Sequence, residues 1–444
     1  DIYTRTVGLP FVKMEIQWPT IVEGLFLGII SCVIAGVLPA YAASRLPPAE
    51  DMRTPAPAAG RKLLLEELFP FLARMSYLWK IPLRNIFRSR GRSVYTFLGI
   101  AFGISLILVS SAYIESINYM MDLQFNRIQK YDAQVTFAQL QPMALASEVQ
   151  GGGDFKEVEP VLQVPVRLEH EGKSYTTMAI GLSQEAELYG LYSTGGDRVS
   201  VSNEGILLSS ALRKTLDVDI GDVITLQTTS TLRDIKVAGF VKQPLGAFTY
   251  VTLEQAQELI GDQPVISGLM LGAKPQYLDS LRQRASNIAD TASVELTAET
   301  KAKVGERMAF NRNMIWIMFG FGVALSFAIV FTTVSVSILE RRREIAAMRA
   351  QGESKGGIAA MVTIENVLLG LVGIILGIPL GYGLSFYFFS LLQTDMVTYS
   401  LVISPGTYLF TVGTVILVML ISQVPSIRHL NRLDLARVIK EQAT

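Results

Sequence analysis

Five apolar stretches, each long enough to cross about 30 Å of hydrocarbon at about 1.5 Å per helical residue, constrain this chain more than any other feature. They run Thr20–Ala43, Ser93–Ile114, Asn313–Leu339, Ile358–Leu392 and Tyr408–Ile427. Half of the 444 residues are hydrophobic and only 18% are charged, which is too apolar for an ordinary soluble protein of this length. The expected fold is therefore a membrane protein: an α-helical transmembrane bundle of about five spans.

The basic residues fall unevenly between the spans. Arg45 to Arg92 carries ten Lys or Arg against four acids, Glu340 to Gly357 five against three, and the tail from Arg428 four basic residues. The loop Gln393 to Thr407 has one acid, Asp395, and no basic residue. By the positive-inside rule the basic segments are cytoplasmic. Residues 1–19, the long segment 115–312 and the loop 393–407 then lie outside, and all five spans alternate without strain.

The two ends of the chain repeat each other. Pro19 and Pro39 bracket the first span as Pro405 and Pro425 bracket the fifth, and RLPPAEDMR (Arg45–Arg53) parallels RLDLARVIK (Arg432–Lys440). Chance likeness between two helix ends is the alternative. The sequence opens at Asp1 shortly before its first span, and the chain is expected to be a fragment, with residues 20–43 as the last helix of a preceding repeat. Thr54 to Gly60 reads as a Pro/Ala-rich linker. The following segment to Phe87 mixes Leu, Phe and Trp79 with Arg and Lys, as an amphipathic stretch lying on the anionic cytoplasmic leaflet would; a plain buried helix is the alternative.

Residues 115–312 are expected to form a mixed α/β domain. Strands are read at Ala133–Phe137, Val161–Leu168, Tyr175–Ile180, Gly205–Leu208, Val223–Gln227, Ile235–Val241 and Ile266–Leu271. Helices are read at Leu253–Ile260 and Gln276–Ala289, and a flexible loop at Gln150–Asp154. Ser116–Lys130 and Ala298–Arg312 read as extensions of the neighbouring spans, which would make a stalk.

Two segments carry a family resemblance. RNIFRSRGRSVYTFLGIAFGI (Arg84–Ile104) and ERRREIAAMRAQGESKGGI (Glu340–Ile358), the latter followed by Glu365, Gly370, Gly373 and Gly377, resemble FtsX/MacB-type permeases of ABC transporters. GILLSSALRKTLDVDIGDVITLQ (Gly205–Gln227) is similar to the same family's extracytoplasmic domain. The resemblance implies a permease of the bacterial inner membrane whose outer domain works mechanically. It also implies separate ABC ATPase subunits that hold the ATP and Mg, and a preceding permease repeat or second permease as partner.

Read from its residues alone, the Glu340 segment leaves the bilayer at Leu339, turns near Gly352 and re-enters after Ser354, a plausible N-cap. It presents one short helix to the cytoplasm, with Ile345 and Met348 apolar beside Glu344 and Arg349. That mixed face suits a groove on a partner, which the resemblance implies is the ATPase, with Gly352 at its end; enforcing topology is the plainer role. Gly370, Gly373, Gly377 and Gly381 recur at helical spacing with Gly383 flanking, and Gly24/Gly28 and Gly99/Gly103 repeat the pattern, as close helix packing requires. Static packing and a moving interface are both compatible with it. Glu365 lies inside an otherwise uncharged span and should face the bundle and find a partner, with Arg341 to Arg343 the nearest candidates. A proton-relay role lacks a second intramembrane acid or histidine.

No GxxxxGK[ST] phosphate loop, GxSxG, HExxH or EF-hand pattern occurs, so neither ATP hydrolysis nor another catalysis is expected of this chain, and no bound cofactor. Cys32 is the lone cysteine, and His170 and His429 are the two histidines, which argues against a disulfide framework and a zinc centre. His170 reads as a solvated surface residue. A net charge of zero gives no support for nucleic acid. The expected output is export or extraction of a lipid, lipoprotein, peptide or drug-like substrate. The alternatives are a signalling subunit acting on an extracytoplasmic partner such as a cell-wall hydrolase, and, least supported, a membrane-anchored enzyme.

Overall fold

The structure, a computed structural model, describes residues 17–45, 77–229, 231–394 and 396–431. The Pro/Ala linker, both copies of the repeated exit sequence after Arg45, Asp395 and the tail beyond Asn431 lie outside the described residues. The chain divides into two units, Asp1–Phe87 and Arg88–Thr444. In the first, α1 (Trp18–Ser44) is apolar except for Glu23 and a few hydroxyl residues, with Leu25, Phe26 and Leu27 exposed. Helix α2 (Tyr77–Arg88) carries Pro82 and a basic last turn, and holds the described part of the expected amphipathic stretch.

Four long helices build the membrane part of the second unit. Helix α3 runs Arg90–Asp122 and passes into a π-turn, Leu123–Ile128. After the outer domain come α8 (Thr297–Glu340), the short α9 (Arg342–Ala350), α10 (Lys355–Leu392) and α11 (Pro405–Asn431). With α1, five helices among the described residues are long and apolar enough to cross a membrane. The 44 residues of α8 span roughly 66 Å, about twice the hydrocarbon thickness. Its first turns therefore stand clear of the bilayer beside the extended end of α3, and together they make the stalk.

The outer domain contains β1 (Ala133–Pro142), α4 (Ala144–Gly151), β2 (Phe155–His170), β3 (Lys173–Leu182), and the short β4 (Leu191–Tyr192) and β5 (Arg198–Val199). It continues through β6 (Ile206–Ser209), α5 (Ser210–Leu216), β7 (Val223–Gln227), β8 (Leu232–Val241), β9 (Thr249–Thr252) and α6 (Leu253–Glu258). Last come β10 (Val265–Ala273), α7 (Leu281–Ser286) and β11 (Thr291–Leu296). The sheet order is β11-β1-β10-β2-β3-β9-β6-β8-β7, with β7 pairing back onto β2. Six strands thus close a barrel, and the long β2 is shared with an open four-stranded sheet. Closure removes the exposed edges of the barrel strands. The barrel interior is apolar, with Leu168, Leu208, Leu226 and Val237 fully buried. The open sheet buries Val135, Leu269 and Leu271 beside Leu281 and Ala285 of α7.

Strands β4, β5, β9 and β11 and helices α4 and α5 were not expected, and the single helix expected at Gln276–Ala289 is a 3-10 turn, Pro275–Ser280, followed by α7. Gln150 and Gly151 belong to the end of α4 rather than to a loop. His170 is not solvated: its side chain is 12% exposed and its Nε2 lies 3.9 Å from Asp222.

The stalk is welded to the domain. Gly190 N–H donates to Ile128 at 2.8 Å and Lys130 N–H to Leu188 at 2.9 Å. On the other side, Oε1 of the buried Glu159 accepts from the backbone N–H of Glu187 at 2.6 Å and of Leu188 at 3.1 Å. The distribution of basic residues sets a topological prediction. With Cys32 removed, a cysteine at Gly152 in the outer domain is labelled by an impermeant reagent in intact cells, and one at the exposed Ser354 is shielded. The reverse pattern would invert the orientation.

Candidate functional site

The base of the bundle, where α8 ends and α10 begins, gathers the chain's most distinctive chemistry. Helix α8 breaks at Arg341, and α9 follows with no intervening loop, Ile345 N–H donating to the Arg341 carbonyl at 3.0 Å. It ends in a Schellman turn: Glu353 N–H donates to Met348 at 3.0 Å and Gly352 N–H to Arg349 at 3.1 Å. Gly352 has φ +98°, which explains glycine there. Ser354 then caps α10, its Oγ accepting from Gly357 N–H at 2.9 Å.

The structure corrects the expected docking face. Ile345 is 5% exposed and packs with Val334, Ile338, Ile358 and Val362, and the half-buried Met348 lies against the same cluster. The apolar side of α9 is thus covered by the chain's own helices, because apolar surface at a helix end gains most from the nearest core. The outward ridge is Glu344, Ala347, Ala350 and Gln351, all exposed, while Arg349 is half-buried. The helical repeat places these four on one side.

Behind this ridge is a charge network. Arg341 Nη1 donates to Glu365 Oε2 at 2.9 Å, with side chains only 10% and 8% exposed. Arg341 Nε also reaches Glu344 Oε2 at 3.2 Å, and Arg88 donates to Glu344 Oε1 at 2.7 Å. Arg92 bonds Glu340 and lies 3.9 Å from Glu365 Oε1. Three arginines and three carboxylates therefore tie together Arg88, the start of α3, the end of α8, α9 and α10, with no net charge. Partial burial pushes the Glu344 carboxyl up, but the hydrogen bonds from Arg88 and Arg341 outweigh it and hold it below the usual carboxylate range. Arg88, Arg92 and Glu340 were not singled out from the sequence. The signal was present in their proximity to a span containing Glu365, which needs positive charge from somewhere.

Above the network, the glycines of α10 set the helix spacing. A Cβ at Gly373 would lie 2.7 Å from Ile100, one at Gly377 2.9 Å from Ile104, and one at Gly381 2.9 Å from Leu108, all on α3. Gly370 faces Met419 of α11 instead, and Gly99 and Gly103 of α3 face Ile329 and Ser326 of α8. By contrast, a Cβ at Gly24, Gly28 or Gly383 meets nothing within 4 Å among the described residues. Among the described residues no group of His, Cys, Asp and Glu could hold a metal.

Two families match the chain: the MacB-like periplasmic core domain over residues 93–289 and the FtsX-like permease C-terminal domain over residues 316–435. The macrolide export ATP-binding/permease protein MacB of Hyphomonas neptunium is 22% identical over 372 residues, covering 74% of this chain and 56% of that protein. The ABC transporter permease YtrF of Bacillus subtilis is 24% identical over 196 residues, covering 39% of this chain and 43% of YtrF. The crystal structure of the periplasmic region of MacB from Actinobacillus actinomycetemcomitans aligns at 14% identity and a TM-score of 0.30, over 40% of this chain and 94% of that structure. The chain spans about half the length of these two curated relatives.

Proposed function

We propose that this chain, a multi-pass permease of the MacB/FtsX type of ABC transporter, receives its energy through α9 from a separate ATPase and delivers it to the outer domain. One observation carries the reading. Helix α8 runs unbroken from Thr297, beside β11, to Glu340, where Arg341 and Glu344 bind α9 to the rest of the bundle. A push on the exposed ridge of α9 is then passed to a continuous rod and not absorbed in a loop. On this reading ATP and Mg are held by the ATPase subunit. The membrane is the bacterial inner membrane, with α9 on the cytoplasmic side. The substrate is of the lipid, lipoprotein, peptide or drug-like class, taken up outside and not threaded between the helices. A preceding permease repeat or a second permease completes the bundle.

The test targets the outward ridge and leaves the internal network intact. Ala347→Glu with Ala350→Glu adds charge at two exposed helical positions, where stability should change by no more than about 0.5 kcal/mol. In the full-length parent we expect normal insertion but at least about a ten-fold loss of association with the ATPase, equivalent to about 1.4 kcal/mol. Association at the wild-type level would sink the docking reading. Activity that depends on an extracytoplasmic hydrolase, with no substrate stimulation, would move the function to signalling.

A further inference from the structure

We propose that the loop between α10 and α11 is a second transmission element, a strap that couples this helical hairpin to the outer domain alongside the stalk; the proposal rests on the permease reading above. The loop does not merely connect two helices. Val397 forms an antiparallel bridge with Leu245 of the segment between β8 and β9. Gly246 N–H donates to Met396 at 2.8 Å, and Thr398 N–H donates to Pro244 at 3.0 Å. Gly246 sits at φ +85°, a conformation that holds this segment in the shape the strap meets.

Each end of the strap is anchored. On the bundle side, Glu115 Oε2 of α3 accepts from Ser404 N–H at 3.0 Å and from Thr407 Oγ1 at 2.5 Å, at the first turn of α11. Ser116 Oγ takes the N–H of Val402 at 3.0 Å. Between these anchors Val397, Tyr399 and Leu401 pack on Tyr113 and Phe389. On the domain side the neighbouring Gln243 is 2% exposed. Its Nε2 donates to Leu245 O at 2.7 Å and to Gln124 Oε1 in the π-turn of the stalk at 3.3 Å. Its Oε1 accepts from Tyr250 at 2.7 Å, and Tyr250 in turn lies 3.1 Å from the Tyr189 hydroxyl. Gln243 is thus a positioning residue at which strap and stalk meet, so motion of either reaches β9 and the barrel. A buried amide holding three partners transmits displacement because leaving any of them unpaired is costly.

Two measurements on the full-length parent with its ATPase test this. The two backbone bonds flank Leu245 and Val397, which makes them a non-hydrogen-bonded antiparallel pair with Cα atoms about 4.5 Å apart, within disulfide range. In a Cys32→Ser background, Leu245→Cys with Val397→Cys should cross-link efficiently in membranes, and the locked protein should keep its ATP response. Failure to cross-link, or loss of response on locking, would overturn the strap and leave the docking of α9 untouched. Conversely, Thr398→Pro removes one donor. Its ATPase association and basal hydrolysis should be unchanged, while the ATP-induced change in protease sensitivity of the outer domain falls by about five-fold or more, the lower end of typical coupling. A wild-type response in Thr398→Pro would overturn the proposal. Absence of any ATP response in the unsubstituted complex would overturn it too, and with it the permease mechanism.

Discussion

Glu365→Gln is expected to be the most damaging polar substitution in the bundle. It leaves Arg341 buried against a neutral amide, and losing one member of a buried pair costs about 3–5 kcal/mol. The lower end applies, because Arg341 keeps Glu344 at 3.2 Å and Arg92 keeps Glu340. The informative comparison is Glu365→Leu combined with Arg341→Met. Removing both charges relieves the desolvation cost, and the remaining acids stay paired, Glu344 with Arg88 and Glu340 with Arg92. Replacing a buried pair by apolar side chains is neutral or stabilising relative to the pair, so the double variant should be more stable than the single one by about 3 kcal/mol or more. Thermal unfolding of the purified parent in lipid nanodiscs reads both. A Glu365→Gln protein as stable as wild type would show that the pair contributes nothing, and a double variant worse than the single would show that Arg341 holds α9 by more than its charge.

That comparison also separates stability from transmission. In the double variant Ile345 still anchors α9 to the core, but the ionic ties from Arg341 to α9 and α10 are gone. If the network only stabilises, coupled activity survives along with the fold. If it conveys the stroke, the fold survives and coupling falls.

The sequence made the spans legible because twenty or more apolar residues have few other solutions in water or lipid. Strand β7, Val223–Gln227, was read at its observed bounds, since alternation and β-branched residues mark a strand with one buried face. Strand β9 escaped because four residues, TYVT, run straight into the capping box of α6 and show no alternation of their own. Edge strand β11 carries two half-exposed and three fully exposed positions before Leu296, too polar to signal a core. At the base, Ile345 and Met348 were correctly seen as an apolar face. Which body would cover that face, the partner or the chain itself, is a tertiary matter that periodicity cannot decide. The strap was invisible for a different reason: its links to Pro244 and Gly246 are backbone bonds, and these have no side-chain signature.

Gly377→Leu should break the α3–α10 contact. A bare Cβ at Gly377 already falls 2.9 Å from Ile104 Cβ and 3.0 Å from the carbonyl oxygen of Ala101, and a backbone oxygen cannot move aside as a side chain can. The same approach lets Ser105 Oγ reach the Gly377 carbonyl at 3.2 Å, a bond that separating the helices would also lose. Overpacking in a close-packed region costs about 1–3 kcal/mol and sometimes more; with flanking glycines at 373 and 381 pressed on the same helix, the upper end or beyond is expected. Gly383→Leu provides the control on the same helix, because nothing lies within 4 Å of its Cβ. Phe386→Leu, at a side chain 63% exposed, should stay within about 0.5 kcal/mol. Recovery of folded protein from membranes and its unfolding temperature measure all three. Equal tolerance of leucine at 377 and 383 would show that the stripe is not an interface. If Gly377 alone is intolerant, α3 and α10 form one rigid pair. The stalk of α3 and the strap that follows α10 must then move together, so the outer domain receives a single displacement through two attachments.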